Sequence, residues 1–323
     1  MERVIVTRPL PGLALAELAT QVELRIGPPE GWPRDVVERE LRAATGWISL
    51  LTDRVDAELL DRAPRLRVIA NYAVGYDNFD IPAATARGVL LTNTPEVLTE
   101  ATADFTWALL LAVSRRLVAG DRLLRAGGFN GWAPTFHLGT EVNGKTLGLY
   151  GLGRIGQAVA RRAAGFGLRV IYHSRHRREL PGLTYVDFPA LLAESDFLSL
   201  HAPLTPETRE RFGTPEFKAM RPTAFLINTA RGALVDESAL VTALESGWIA
   251  GAALDVYAAE PRVTTGLLGL PNVVLAPHLG SATQETRAAM AARAVGNLQA
   301  ALDEQRPPDL LNPEAWVVRR SRR

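Results

Sequence analysis

Leu147 to Gly156 reads L-G-L-Y-G-L-G-R-I-G, and the fold follows from this stretch. The apolar run Leu147 to Tyr150 has the composition of a short buried strand. Gly151, Gly153 and Gly156 then stand in G-x-G-x-x-G spacing, and Gln157 to Phe166 is Ala-rich and amphipathic, with Arg161 and Arg162 on its polar side. Strand, glycine turn and helix in that order form the context in which this spacing holds a dinucleotide. Gly151 permits the tight turn, Gly153 lets backbone approach a pyrophosphate, and Gly156 lets helix lie close on strand. The helix N-terminus offers free N–H groups and the positive end of its dipole to phosphates. Leu152, Arg154 and Ile155 fill the turn between the glycines and share that position. A second apolar run, Leu168 to Tyr172, follows where a βαβ unit requires it.

Outward from this centre the chain alternates apolar runs and helical patterns. On the N-terminal side, strands are expected at Val4–Val6, Val22–Ile26, Trp47–Leu51, Arg67–Ala70 and Val89–Leu91, with helices at Leu13–Thr20, Asp35–Ala44 and Asp56–Asp61 and a turn and short helix within Asp77–Arg87. On the C-terminal side strands are expected near Thr184–Val186, Phe197–Leu200, Ala224–Asn228, Ile249–Leu254 and Val273–Leu275. Helices are expected there near Pro189–Ala193, Pro215–Met220, Glu237–Ser246 and Thr283–Asp303. Such alternation implies parallel sheets covered by helices. Between the two series, Glu96 to Gly120 reads as one long amphipathic helix. Gly127 to Gly139 reads as a loop whose rings, Phe129, Trp132 and Phe136, have no evident local core. They either pack on their own domain or form an oligomer contact or the rim of a site. Arg319 to Arg323 reads as a frayed, solvated basic end.

Composition narrows the function. With 323 residues, about two domains are expected, and 47% hydrophobic content is ample for their cores. A net charge of +1 gives no bulk field toward nucleic acid or an anionic membrane, so neither is expected as a partner. The absence of cysteine excludes disulfides, thiolate metal sites and a cysteine nucleophile, and it agrees with an expected cytoplasmic location. The N-terminus has no long apolar segment of the signal-peptide kind, and Trp107 to Val113 is too short to span a bilayer. No metal site is expected.

Three sites past the fingerprint concentrate reactive side chains just beyond expected strands, where open α/β sheets bind ligands. Arg231 lies in Asn228-Thr229-Ala230-Arg231-Gly232, and its planar fork suits a carboxylate. Read alone, it is equally well a surface arginine capping nearby carbonyls. Asp255 and Glu260 lie in Leu254-Asp255-Val256-Tyr257-Ala258-Ala259-Glu260-Pro261, where the proline holds Glu260 extended. Each could also be a solvated loop carboxylate. His278 lies in Ala276-Pro277-His278-Leu279-Gly280-Ser281-Ala282-Thr283, before a helix whose cap is expected at or near Ser281.

These motifs in this order resemble those of the NAD(P)-dependent D-2-hydroxyacid dehydrogenase family, most closely its glyoxylate/hydroxypyruvate reductases. The likeness spans nearly the whole chain, including Asn71-Tyr72-Ala73-Val74-Gly75-Tyr76-Asp77-Asn78-Phe79-Asp80 and Asn93-Thr94-Pro95. The resemblance implies an α/β fold of two Rossmann-like, doubly wound parallel-sheet domains with a cleft between them. It implies a discontinuous substrate domain, residues 1–95 with 286–323, and a dinucleotide-binding domain, residues 96–285. It implies that His278 is the general acid, that Glu260 pairs with it, and that Arg231 anchors a small 2-keto acid and polarises its carbonyl. A carboxylate beside a histidine favours the protonated ring. Backbone N–H groups of Val74 and Gly75 would cradle the substrate carboxylate. Thr229, Ala230, Asp255 and Gly280 would meet the nicotinamide end. A homodimer is implied as well, and Trp132, Pro134 and Phe136 resemble a loop that reaches toward a partner subunit's site.

The cofactor can be read from the end of the second strand of the fingerprint unit. NAD binders usually place an acid there for the ribose 2′-hydroxyl. Here Tyr172-His173-Ser174-Arg175-His176-Arg177-Arg178 supplies none. A 2′-phosphate would meet the hydroxyl of Ser174 and the cations of Arg175 and Arg177, so NADP(H) is preferred and NAD(H) remains possible. Glu260 stands where formate dehydrogenases carry glutamine, which argues against formate oxidation, and no regulatory domain of the long phosphoglycerate dehydrogenases is expected. Two other readings stay open: another acid, such as D-lactate or D-glycerate, with NAD(H), or a dinucleotide-sensing protein of the corepressor type.

Overall fold

The computed structural model describes residues 1–319. Contacts divide the chain into two compact units, Met1–Leu98 with Ala282–Arg323, and Thr99–Ser281. Each is an α/β unit built on one parallel sheet.

The first unit runs β1 (Arg3–Val6), α1 (Ala14–Leu18), β2 (Glu23–Ile26), α2 (Arg34–Leu41), β3 (Gly46–Ser49), α3 (Ala57–Asp61), β4 (Val68–Asn71), α4 (Ile81–Ala86) and β5 (Leu90–Thr92). The five strands stand in the order β2-β1-β3-β4-β5, all parallel. Strands β3, β4 and β5 are buried at every position, which is why they read as uninterrupted apolar runs rather than alternating ones. Short helices here start at side-chain caps: Asp56 accepts the N–H of Leu59, and Asp80 that of Ala83.

The second unit opens with α5 (Thr99–Ser114) and α6 (Leu117–Arg125). The single helix expected over Glu96–Gly120 is therefore two. Arg116 breaks it with a left-handed φ of 54°, and the Ser114 carbonyl is taken by the N–H of Thr140 at 2.7 Å. Gly139 lies so close to Ser114 that a side chain there would meet its carbonyl oxygen. The chain beyond the loop thus dictates the break. Nor is α5 a one-sided helix: it packs on α7 and on the sheet, and is buried from Thr102 to Ser114 on more than one face. By contrast α6 buries no residue, and Trp132 in the following loop is 82% exposed. Packing on the parent unit therefore does not account for Trp132.

The unit continues β6 (Thr146–Tyr150), α7 (Arg154–Ala163), β7 (Arg169–His173), β8 (Leu183–Tyr185), α8 (Phe188–Glu194), β9 (Phe197–Leu200), α9 (Thr214–Ala219), β10 (Phe225–Asn228), α10 (Glu237–Glu245), β11 (Gly251–Leu254), α11 (Thr265–Leu268) and β12 (Val273–Leu275). Its seven strands stand in the order β12-β11-β10-β9-β6-β7-β8, all parallel. The winding reverses between β6 and β9, so the fingerprint sits at the switch point where such sheets bind ligands. Helix α7 begins at Arg154, directly after Gly153, rather than at Gln157, and closes in a 3-10 turn, Ala164–Phe166.

The chain then returns to the first unit through α12 (Gln284–Leu302), which packs on β3, β4 and β5, and α13 (Ala315–Val318). The cap of α12 is Thr283, whose hydroxyl accepts the N–H of Thr286, and not Ser281. Of the basic end expected to fray, Arg319 lies over the ring of Trp316 at 3.9 Å, and the rest lies outside the described residues. Among the described residues no helix is long and apolar enough to cross a membrane.

Candidate active site

The turn after β6 is shaped by its glycines. Gly151 has φ of +99°, and a Cβ there would come within 2.7 Å of the His201 and Ala202 backbone. A Cβ on Gly156 would meet the Gly151 carbonyl oxygen at 2.5 Å, which is how closely helix lies on strand. Gly153 differs: among the described residues a Cβ there meets nothing within 4 Å, and no side chain caps the first turn of α7. The described residues therefore leave the backbone at Gly153, directly before the helix, open to close approach, as a dinucleotide pyrophosphate requires. Leu152, Arg154, Ile155 and Gly156 surround this point; the Leu152 carbonyl is held by the Gln157 side chain at 3.1 Å.

At the end of β7, His173 occupies the position of the usual acid. Its Nδ1 lies 3.1 Å from the Val186 carbonyl, and its ring stacks on Tyr150. Ser174 donates to the His176 carbonyl at 2.7 Å. Arg177 lies over the Tyr185 ring, 5.8 Å from its centroid. The Glu207 carboxyl is held below its ordinary value by the Thr205 hydroxyl above all, with Arg175 adding its charge.

Three loops at the carboxyl ends of β10, β11 and β12 converge through backbone bonds. Asn228 closes the first: its side chain donates to the Arg231 carbonyl at 2.9 Å and accepts the N–H of Ala230 at 3.0 Å. Arg231 also donates to the Ala230 carbonyl at 2.8 Å, and the Thr229 hydroxyl lies 2.9 Å from that of Thr106 on α5. Asp255 joins the three loops. Its N–H donates to the Asn228 carbonyl, and its own carbonyl accepts from His278, both at 2.9 Å. The buried Asp255 carboxylate accepts the N–H groups of Leu279 at 2.6 Å and Gly280 at 2.8 Å. Burial pushes this carboxyl up, against those two hydrogen bonds.

The result is a pair. His278, in a left-handed conformation with φ of 56°, places Nδ1 2.9 Å from Oε2 of Glu260. The other carboxylate oxygen of Glu260 accepts the N–H of Tyr257 at 3.0 Å. Burial acts to raise the Glu260 carboxyl, but the bonds from His278 and Tyr257, with the charge of Arg231, hold it below its ordinary value. Arg231, Glu260 and His278 thus come together electrostatically within one unit. Because Nδ1 is engaged, Nε2 is the ring atom left for other chemistry.

Val74 and Gly75 belong to the other unit, just after β4. Asn93 and Asn71 donate to their carbonyls, each at 2.8 Å. Their N–H groups donate to nothing among the described residues. Pinned carbonyls with unpaired N–H groups suit the cradling of an anion.

Several supporting residues escaped the sequence reading. Tyr257 donates to the Ala276 carbonyl at 2.9 Å, and burial pushes its hydroxyl up to about 12. Glu237, the first residue of α10, accepts the N–H of Ala258 and the hydroxyl of Thr264, bracing the loop that carries Glu260. His201 lies beneath Gly151 and Gly156. Tyr257 sits inside a quoted motif and could have been found there; Glu237 and His201 act on backbone far away in sequence and give no local signal. Among the described residues no cluster could hold a metal ion.

Comparison with known proteins places this geometry in a family. A family profile described as "D-isomer specific 2-hydroxyacid dehydrogenase, NAD binding domain" matches residues 107–280. A glyoxylate reductase of Thermococcus litoralis is 51% identical over 322 residues, covering 97% of each chain. A protein of solved structure from Thermus thermophilus is 48% identical with a TM-score of 0.92, over 96% of this chain and 99% of that one. An NADPH-dependent glyoxylate/hydroxypyruvate reductase from Sinorhizobium meliloti, solved with NADP and malonate, is 36% identical with a TM-score of 0.88, over 100% of this chain and 99% of that one. With a switch-point fingerprint, a histidine–carboxylate pair, a family profile matched over more than half its residues and 51% identity to a glyoxylate reductase over 97% of its length, this chain belongs to the D-isomer specific 2-hydroxyacid dehydrogenase family.

Proposed function

We propose that this protein reduces small 2-keto acids, glyoxylate and hydroxypyruvate foremost, to 2-hydroxy acids, with NADPH as the preferred cofactor and NADH as a possible one. The observation that carries this reading is the His278–Glu260 pair beside the charge of Arg231. When bound, the reduced nicotinamide supplies a hydride for the keto carbon. His278 gives a proton from Nε2 to the keto oxygen, which becomes the hydroxyl, and Glu260 holds the ring by Nδ1 so that Nε2 faces the substrate. Arg231 grips the substrate carboxylate and stabilises charge on the keto oxygen. Val74 and Gly75 offer their N–H groups to a substrate carboxylate. Gly151 to Gly156 take the pyrophosphate, Thr229, Ala230, Asp255 and Gly280 the nicotinamide end, and Ser174, Arg175 and Arg177 the 2′-phosphate. The first unit is the substrate domain and the second the dinucleotide-binding domain, which also carries Arg231, Glu260 and His278.

The enzyme works in the cytoplasm as a homodimer. Leu117 and Leu124 on α6 are 65% and 61% exposed, and they continue into the exposed Phe129, Trp132, Phe136 and Leu138. This number of exposed large apolar side chains on one helix and the loop after it supports burial against a second copy. Sedimentation of the purified protein tests this, with a monomer at micromolar concentration as the contrary result.

The activity is tested by absorbance at the nicotinamide band. Glyoxylate and hydroxypyruvate should each drive oxidation of NADPH, and His278→Ala should abolish turnover while cofactor binding, read by NADPH fluorescence, persists. Undiminished turnover in that variant would remove the proposed acid.

A further inference from the structure

The sheet of the first unit has its own switch point. From β1 the chain adds β2 on one side, then crosses to add β3, β4 and β5 on the other. Open α/β sheets bind ligands beyond the carboxyl ends of the strands at this point. A cavity of about 280 Å³ lies there. Thr7 and Arg8 follow β1, Thr52 and Asp53 follow β3, and Trp32 follows β2; the indole of Trp47, on β3, is fully buried at its wall. None of these residues has a place in the proposed reduction.

The polar groups of this cavity are built but incompletely paired. Trp47 donates to the Thr7 hydroxyl at 3.0 Å, and that hydroxyl donates to Oδ2 of Asp53 at 2.6 Å. The N–H of Leu50 donates to the same oxygen at 2.7 Å. Oδ1 of Asp53 accepts no hydrogen bond among the described residues, and burial pushes the carboxyl up against the pull of Thr7, Leu50 and Arg8. Arg8 extends across Gly31, and it makes neither hydrogen bond nor ion pair among the described residues. The neighbouring arginines are engaged: Arg34 pairs with Glu38 and Asp56, and Arg54 with Asp56. The cavity therefore presents one unpaired cation, one half-satisfied carboxylate and two indoles.

A plain anion entering here would meet Asp53, and a plain amine would meet Arg8. A zwitterion satisfies both, and an apolar side chain can cover the indole of Trp32. We propose that this cavity binds a small apolar 2-amino acid, its carboxylate on Arg8, its ammonium on Asp53 Oδ1 and its side chain against Trp32.

The test titrates the purified full-length protein with leucine and phenylalanine, followed by calorimetry and tryptophan fluorescence. Parallel titrations use 3-methylbutylamine and 4-methylpentanoate, which keep the leucine body but only one charge. Saturable binding of at least one amino acid is expected, with each single-charge analogue weaker by about tenfold or more. Arg8→Gln and Asp53→Asn should each cost about tenfold in amino-acid affinity, while melting temperature and NADPH oxidation stay as in the parent. Arg8 is exposed, and asparagine still offers Thr7 and Leu50 an acceptor, so both variants should fold. No saturable signal with either amino acid, equal binding of 4-methylpentanoate or the amine, or affinity untouched by both substitutions would each overturn the proposal.

Discussion

Glu260 holds His278 by one carboxylate oxygen and the backbone of Tyr257 by the other, at 2.9 and 3.0 Å. Its geometry is thus set from two sides before any substrate arrives. The Tyr257 loop is in turn braced by Glu237 from α10, and the His278 loop by the Asp255 carboxylate. The ring is positioned by a chain of hydrogen bonds to backbone, which costs no reorganisation when a proton moves.

Glu260→Gln keeps the size of the side chain and can still accept from Tyr257, but it removes the negative charge beside the ring. We expect kcat to fall by about 10²-fold with KM nearly unchanged, because in the proposed reaction the lost contribution belongs to proton transfer. Glu260→Asp should recover part of the loss. Steady-state kinetics at fixed pH decide it; a rise in KM at constant kcat would make Glu260 a substrate-binding group instead.

Removing the cations after β7 tests the cofactor reading. Arg175→Ala with Arg177→Ala should weaken NADPH by about ten- to a hundredfold and leave NADH within a few-fold, since a charge-assisted bond to phosphate contributes about 1.5–3 kcal/mol. Fluorescence titration with both cofactors is the measurement. Arg177 now rests on Tyr185, so its share requires it to turn away from that ring. Equal losses for the two cofactors would end the argument for a 2′-phosphate site.

Much of this was legible in the sequence because buried parallel strands leave an apolar signature. β9, with every residue buried, coincides with the run read at Phe197–Leu200, and β6 with the run ending at Tyr150. The helix break at Arg116 was not legible. Residues Thr99 to Arg125 carry no proline there, and the signal for the break lies beyond the loop, in Gly139 and Thr140. The site divides along the same line. His278, Glu260 and Arg231 stand in motifs whose chemistry can be named from residue type. Asn228 closes its own loop on the Arg231 carbonyl and Glu237 reaches the distant amide of Ala258, and a side chain that only fixes backbone looks like any other asparagine or glutamate.

Gly151→Ala should damage both stability and cofactor binding. The residue sits at φ of +99°, and its new methyl would lie 2.7 Å from backbone atoms of His201 and Ala202, which cannot rotate away. We expect a loss of about 2–4 kcal/mol in unfolding free energy, from strain at a left-handed position and overpacking. NADPH affinity should fall at temperatures where the variant remains folded. Denaturant titration and cofactor titration together check this, and a variant as stable as the parent would mean the turn can open.

His201 gives a stability prediction with a definite sign. Its Nε2 lies 2.9 Å from the Ser199 hydroxyl, and burial lowers its pKa from 6.5 to about 4. The unfolded chain therefore binds a proton at a pH where the folded chain does not. Stability is complete above about pH 6.5 and declines as pH falls toward 4, below which no more is lost through this group. The loss is at most about 3 kcal/mol, reduced by the part of the residue that stays open to solvent. In His201→Asn this component should vanish: urea unfolding at pH 7 and pH 5 should show a smaller difference than in the parent. Equal pH dependence in the two proteins would mean that the folded protein can protonate His201 without penalty.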